Sequence, residues 1–204
     1  MIDGIIKYSF DFKLSKPLDE IDFFDIEFTR ERLFALGLIG VTKNGVGYGN
    51  ISRRVNRDSF VITGTQTGHL KNLNATHYSL VEEYNDKDFY LKSIGAIEPS
   101  SEALTHGTIY NLSEDIGAVI HIHSKALWRF MLSNNYLKTN RVEYGSIEMI
   151  DEVNRIFKNI EPLSNSKFVM AGHEEGIMTF GKTLGQAELV LFNILGSFLK
   201  KLNS

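Results

Sequence analysis

Two histidines one residue apart, His121 and His123, end a run of small and β-branched apolar residues that begins at Ala118. In a strand, residues i and i+2 project to the same face, so the two imidazoles would stand side by side with Ile122 turned away. Neutral imidazole is the commonest metal-binding side chain, and two such groups on a buried strand are costly without partners. Hydrogen-bonded core histidines would satisfy the same pattern. A third histidine, His173, follows Gly172 between two short apolar runs. Two ligands from one strand and one from a distant turn can build a three-histidine site that keeps a coordination position open. The chain has no cysteine, so any metal must be held by histidine or carboxylate.

A carboxylate and two hydroxyls are gathered in Glu98-Pro-Ser-Ser-Glu-Ala-Leu-Thr-His106. Ser100 or Ser101 offers an N-cap for a helix running to about Asn111, with Glu102 in its first turn and His106 one turn later. A Glu near a helix start is favoured by charge alone; the same place can also hold an anion. Two glycine-rich stretches, Asn44-Gly-Val-Gly-Tyr-Gly-Asn50 and Thr63-Gly-Thr-Gln-Thr-Gly68, could bring backbone N–H groups close to an anion. Neither has the Gly-Lys-[Ser/Thr] of a Walker loop or the spacing of a dinucleotide loop, and plain turn chemistry accounts for either one taken singly.

The elements that must position these residues read as strands and helices in alternation. Residues 8–14 alternate apolar and polar, a half-buried strand stopped at Pro17. Residues 18–36 place acids early and bases late, as a helix dipole favours, before Gly37. Strands are expected at 51–55 and 60–63 around a turn at 56–59, and at 78–84 and 89–94 around Asn85-Asp86-Lys87. After the histidine strand, helices are expected over 125–132, 147–157 and 183–202, with short strands at 167–171 and 176–180 flanking His173. The 204 residues allow one domain with a sizeable core, and no linker or repeat divides them. The economical reading is a single α/β domain over 1–204 with a largely antiparallel sheet; its N-terminal segment, 1–17, reads as an extension strand. A composition of 43% hydrophobic and 23% charged residues with net charge −3 is that of a soluble protein and gives no reason to expect nucleic acid or membrane as partner. Without a basic and apolar leader, the cytoplasm is the expected compartment.

Taken together, five ordered motifs resemble the class II aldolase/adducin family over roughly 29–199. They are Gly49-Asn-Ile-Ser52; Ile62-Thr63 with a following Thr-Gly; Pro99-Ser-Ser-Glu102 with His106 and Tyr110; Val119-Ile-His-Ile-His-Ser124 with Tyr144-Gly-Ser; and Gly172-His173 with Gly176. The resemblance implies an αβα sandwich around a central, largely antiparallel sheet, assembled as a homotetramer with sites at subunit boundaries. It implies His121, His123 and His173 as ligands of a divalent metal, usually zinc, and Glu102 as catalytic acid/base. It implies Asn50, Ser100, Ser101 and the Thr67-Gly68 pair as the cradle of a substrate phosphate. The 63–68 loop is about two residues longer than the common form, so Thr65 aligns from its left and Thr67 from its right. Family aldolases usually carry a tyrosine on a tail beyond the last helix; this chain ends at Ser204, so the resemblance assigns no proton donor, and Tyr144 is one candidate.

The implied reaction is retro-aldol cleavage of a small phosphorylated ketose through a metal-stabilised enediolate. Within the same family stand 4-epimerisation of a sugar phosphate, dehydration of methylthioribulose phosphate, and a non-catalytic adducin-like interaction module.

Overall fold

The computed structural model of the protein describes residues 5–203; residues 1–4 and 204, included in the boundaries 1–204 and 1–17 above, lie outside the described residues. An eight-stranded sheet organises the rest, in the order β1-β7-β6-β5-β4-β8-β10-β9. Its strands are β1 Ser9–Leu14, β4 Asn50–Asn56, β5 Ser59–Thr63, β6 Tyr78–Asn85, β7 Tyr90–Gly95, β8 Ala118–His123, β9 Lys167–Val169 and β10 Gly176–Gly181. Every pairing is antiparallel except that of β1 with β7. A two-stranded ribbon pairs β2 Gly40–Val41 with β3 Gly47–Tyr48, the latter within the first glycine-rich stretch.

Helices cover both faces. On one, α2 Ala103–Asn111 and α4 Ile147–Phe157 bury Leu104, Ile109, Met149 and Val153 against Val119, Met178 and Phe180. On the other, α1 Glu20–Ala35, α3 Lys125–Leu132 and α5 Leu184–Leu202 bury Ile26, Leu33, Leu127 and Leu191 against Ile120, Ile122 and Ile177. The alternation along β8 is what divides the core: odd-numbered residues serve the first face and even-numbered ones the second. This is the expected αβα arrangement. The hydroxyls of Ser124, Ser146 and Thr183 accept the first-turn N–H groups of α3, α4 and α5, which explains why those helices begin where the sequence indicated.

One expectation changes in detail. The helix after Pro99 starts at Ala103, so Glu102 occupies the N-cap position rather than the first turn; the Ser100 hydroxyl accepts the Glu102 N–H at 3.3 Å. The N-terminal extension forms an edge strand, where a parallel partner is tolerated because only one side of β1 needs pairing. Its apolar alternation is shallow, with Phe10 and Phe12 half-buried and Leu14 exposed.

Candidate metal centre and anion pocket

Register sets the site. In the sheet, β8 lies between β4 and β10, with His121 opposite Asn50 on one side and opposite Met178 on the other. His123 faces Gly176. The two imidazoles share one face, as the i,i+2 spacing requires. The turn between β9 and β10 brings His173 over them, closed by Gly176 N–H donating to the His173 carbonyl at 3.0 Å. Gly176 must lack a side chain: a Cβ there would meet His173 Cδ2 at 2.6 Å and His121 Cε1 at 3.2 Å.

The three Nε2 atoms converge. His123 Nε2 is 3.1 Å from His121 Nε2 and 2.9 Å from His173 Nε2, and ligand atoms of all three lie within 4.8 Å of one another. Around a tetrahedral zinc with Zn–N bonds near 2.05 Å, neighbouring nitrogens would be about 3.4 Å apart, so a small outward relaxation would accommodate the ion. The His121 Nδ1 is 3.1 Å from the Ile177 carbonyl. A carbonyl only accepts, so Nδ1 carries a proton, which leaves Nε2 as the nitrogen that can offer a lone pair to a cation. Burial, then the neighbouring His121 and His173, hold the His123 imidazole well below its ordinary pKa, in the neutral form a metal needs. Nitrogen donors without thiolate suit zinc and other borderline divalent ions.

Glu102 reaches the same point from α2. Its Oε2 is 3.0 Å from His121 Nε2 and accepts from Asn50 Nδ2 at 2.9 Å. The Asn50 Oδ1 is buried without a protein partner. Beneath, Ser52 Oγ lies 2.7 Å from His106 Nδ1 and 2.8 Å from Tyr110 Oη, tying α2 to β4 one turn below Glu102. Burial and then His121 keep the His106 pKa well below its ordinary value.

A narrow pocket of about 40 Å³ opens from Glu102, His123 and His173 toward the two glycine-rich stretches. Asn50, Thr67, Gly68, Ser100, Ser101 and Tyr144 all line it, as does Thr65. The structure therefore gathers every residue singled out from the sequence. The ambiguity between Thr65 and Thr67 resolves into different surroundings. Thr67 is buried and its hydroxyl donates to the Gly64 carbonyl at 2.8 Å, closing the turn, while Thr65 is half-buried and donates its N–H to Glu98 O. Gly68 sits where a Cβ would meet Tyr48 N at 2.7 Å, so only glycine lets the two stretches come together.

Several neighbours were not apparent from the sequence. The Tyr48 ring stacks on His123 at 5.1 Å and 22°. Tyr144 packs on His173 at 4.9 Å, and Lys7 lies 3.9 Å over the Tyr144 ring while donating to its carbonyl at 2.8 Å. Tyr8 Oη donates to Ser100 O at 3.0 Å. The two residues just before the edge strand thus support the site. Tyr48 carried a signal, an aromatic between glycines; Lys7 and Tyr8 carried none beyond the strand itself.

No helix among the described residues is long and apolar enough to cross a membrane. No curated protein matches the sequence. Among solved structures, YgbL from Klebsiella pneumoniae is 18% identical with a TM-score of 0.67, covering 90% of this chain and 89% of its own. An L-fuculose 1-phosphate aldolase is 16% identical with a TM-score of 0.66, covering 92% and 90%. A sugar-phosphate aldolase from Thermotoga maritima is 15% identical with a TM-score of 0.66, covering 90% and 96%. At these identities the likeness establishes the shared fold. The family model for the class II aldolase and adducin N-terminal domain matches residues 43–194, which contain the three histidines, Glu102 and both halves of the pocket, and the chain belongs to that family.

Proposed function

We propose that the protein is a divalent-metal lyase that cleaves a small phosphorylated ketose by retro-aldol chemistry. The observation that carries this reading is the convergence of three imidazole Nε2 atoms with a carboxylate, Glu102 Oε2, 3.0 Å from one of them. His121, His123 and His173 would hold the ion, zinc or another divalent metal. When bound, it supplies Lewis acidity where negative charge develops on oxygen as the C–C bond breaks. Glu102 takes and returns the proton at carbon: burial raises the cost of its charge, and Asn50 Nδ2 aims Oε2 at the reacting centre. Asn50, Gly68, Thr67, Ser100 and Ser101 hold the phosphate. Tyr144, packed on His173 in the pocket lining, takes the proton from the hydroxyl whose carbon becomes the aldehyde as the C–C bond breaks, and returns it to that oxygen in condensation. In this reading the working unit is a cytoplasmic homotetramer.

The same proton chemistry serves an epimerase that never releases its fragments, and the K. pneumoniae relative is described only as an aldolase, epimerase or decarboxylase. An adducin-like module without catalysis would have no use for three convergent histidines and a buried glutamate. The test is to load the protein with zinc and incubate it with dihydroxyacetone phosphate in D2O. Stereospecific loss of one C–H signal, followed by condensation when a small aldehyde is added, is the expected result. Metal binding without proton exchange would overturn the lyase assignment.

A further inference from the structure

The pocket lining contains no lysine and no arginine, yet the ligand proposed for it is a phosphate that must sit near the Glu102 carboxylate. Two cations adjoin the lining from outside: Lys7 against Tyr144, and Arg30 behind the 64–71 loop. Arg30, on α1, is 1% exposed and is the largest fully buried side chain among the described residues. A buried guanidinium stays charged and is tolerated only where its N–H groups are met. Here Nη2 donates to Thr67 O at 3.2 Å and to Leu70 O, and Nη1 donates to Lys71 O at 3.1 Å. Thr67 O belongs to the same peptide unit as the Gly68 N–H, and no peptide bond among the described residues is cis. In a trans peptide the carbonyl and the N–H point in opposite directions. Arg30 therefore pulls the carbonyl of that unit toward the core and turns the N–H of a pocket-lining glycine away from itself, while its charge adds to the positive end of the dipole.

We propose that Arg30 is the specificity-determining cation of the phosphate subsite, acting from behind the 64–71 loop by orienting and charging the Gly68 amide rather than by touching the ligand. The proposal rests on the phosphorylated-substrate reading above. Glu27 supplies its internal control. Its Oε1 is 3.8 Å from Arg30 Nη1, and it accepts from Leu73 N–H at 2.7 Å and Tyr78 Oη at 2.6 Å. Glutamine at this position can keep both bonds, accepting from Leu73 N–H and donating to Tyr78 Oη, while removing the negative charge that offsets Arg30.

The experiment compares zinc-loaded protein binding dihydroxyacetone phosphate with the same protein binding dihydroxyacetone, by calorimetry. Both present the same carbonyl and hydroxyl, so the ratio of dissociation constants isolates the phosphate. Arg30→Met should lower the preference for the phosphorylated ligand about tenfold, the scale of one partly screened unit charge. Glu27→Gln should raise it about threefold by the same argument. A purely structural role for Arg30 would weaken both ligands together and leave the ratio where it was. An unchanged ratio in either folded variant overturns the proposal, and if Arg30→Met does not fold, Glu27→Gln decides alone. A wild-type protein that binds both ligands equally would instead remove the phosphate subsite itself, and with it the basis for Arg30.

Discussion

The two halves of the site are built by different means. The half proposed to hold metal is made of side chains fixed by sheet register: His121 and His123 on β8, Asn50 beside them on β4, and His173 held over Gly176. The half proposed to hold the anion is made of loop backbone, residues 64–68 and 47–49, whose positions depend on carbonyls taken by groups outside the pocket such as Arg30. A strand ladder tolerates no sliding, because a one-residue shift sends every side chain to the other face. A loop has no such constraint and must be anchored point by point. The metal half should therefore respond to single substitutions by losing its chemistry outright. The anion half should respond by degrees.

The sharpest way to break this comparison is His173→Ala. The remaining pair cannot enclose an ion, and metal content, measured after gel filtration, should fall to background with activity down on the order of 10³-fold or more. Retained stoichiometric metal would mean that the turn at His173 is not part of the centre. Glu102→Gln comes next. The amide is isosteric but cannot accept a proton from carbon, so turnover should drop about 10²–10⁴-fold with metal content unchanged. A variant with wild-type turnover would take the proton-transfer role from Glu102. On the loop side, Gly68→Ala forces a methyl against the Tyr48 backbone. The expected cost is about 1–3 kcal/mol of stability, with KM for a phosphorylated substrate raised roughly tenfold and kcat largely kept. An equal rise in KM for the unphosphorylated analogue would show that the loop shapes the pocket generally rather than the phosphate end.

The same contrast explains what could be read from the sequence. The metal half announced itself because its residue types carry the chemistry, and strand spacing states which way they point. His121 and His123 needed only the i,i+2 rule, and the β4, β5, β8, α3 and α4 segments followed from their apolar patterns. The exact start of α2 did not, since Ser100, Ser101 and Glu102 are all competent near a helix start; only the chain's path past Pro99 decides among them. The anion half was visible as glycines and hydroxyls but not as geometry, because backbone N–H directions leave no trace in residue identity. Arg30 is the instructive case. Phe23, Ile26 and Leu33 mark the buried stripe of α1, and Arg30 falls within it at helical spacing. Its place among late basic residues suited the helix dipole equally well, and that reading concealed a charge on the core side.

A second anchored loop extends the comparison to the smallest effect. Residues 139–146 carry Tyr144, and Glu152 on α4 holds their start: its carboxylate accepts the Asn140 N–H and, at 3.0 Å, Asn140 Nδ2, and pairs with Arg155 at 2.7 Å. The Arg155 hydrogen bond, with help from Asn140, pulls the Glu152 pKa from 4.5 to about 2. A carboxylate whose pKa is lower in the folded state contributes its full stability above the unfolded value and loses it as pH falls through the folded one. The wild-type protein should accordingly lose stability from this group between pH about 4.5 and about 2, and Glu152→Gln should flatten that part of the acid limb. At pH 7 the same variant should cost about 1 kcal/mol, since Arg155 is half-exposed and its pairing is screened. If anchoring by a remote charge is the rule for the loops, the variant should also alter kcat, through Tyr144, with metal content and phosphate preference untouched. A change in metal content would mean that the two halves are coupled through this loop, and that the division between ladder and loop is less clean than the register implies.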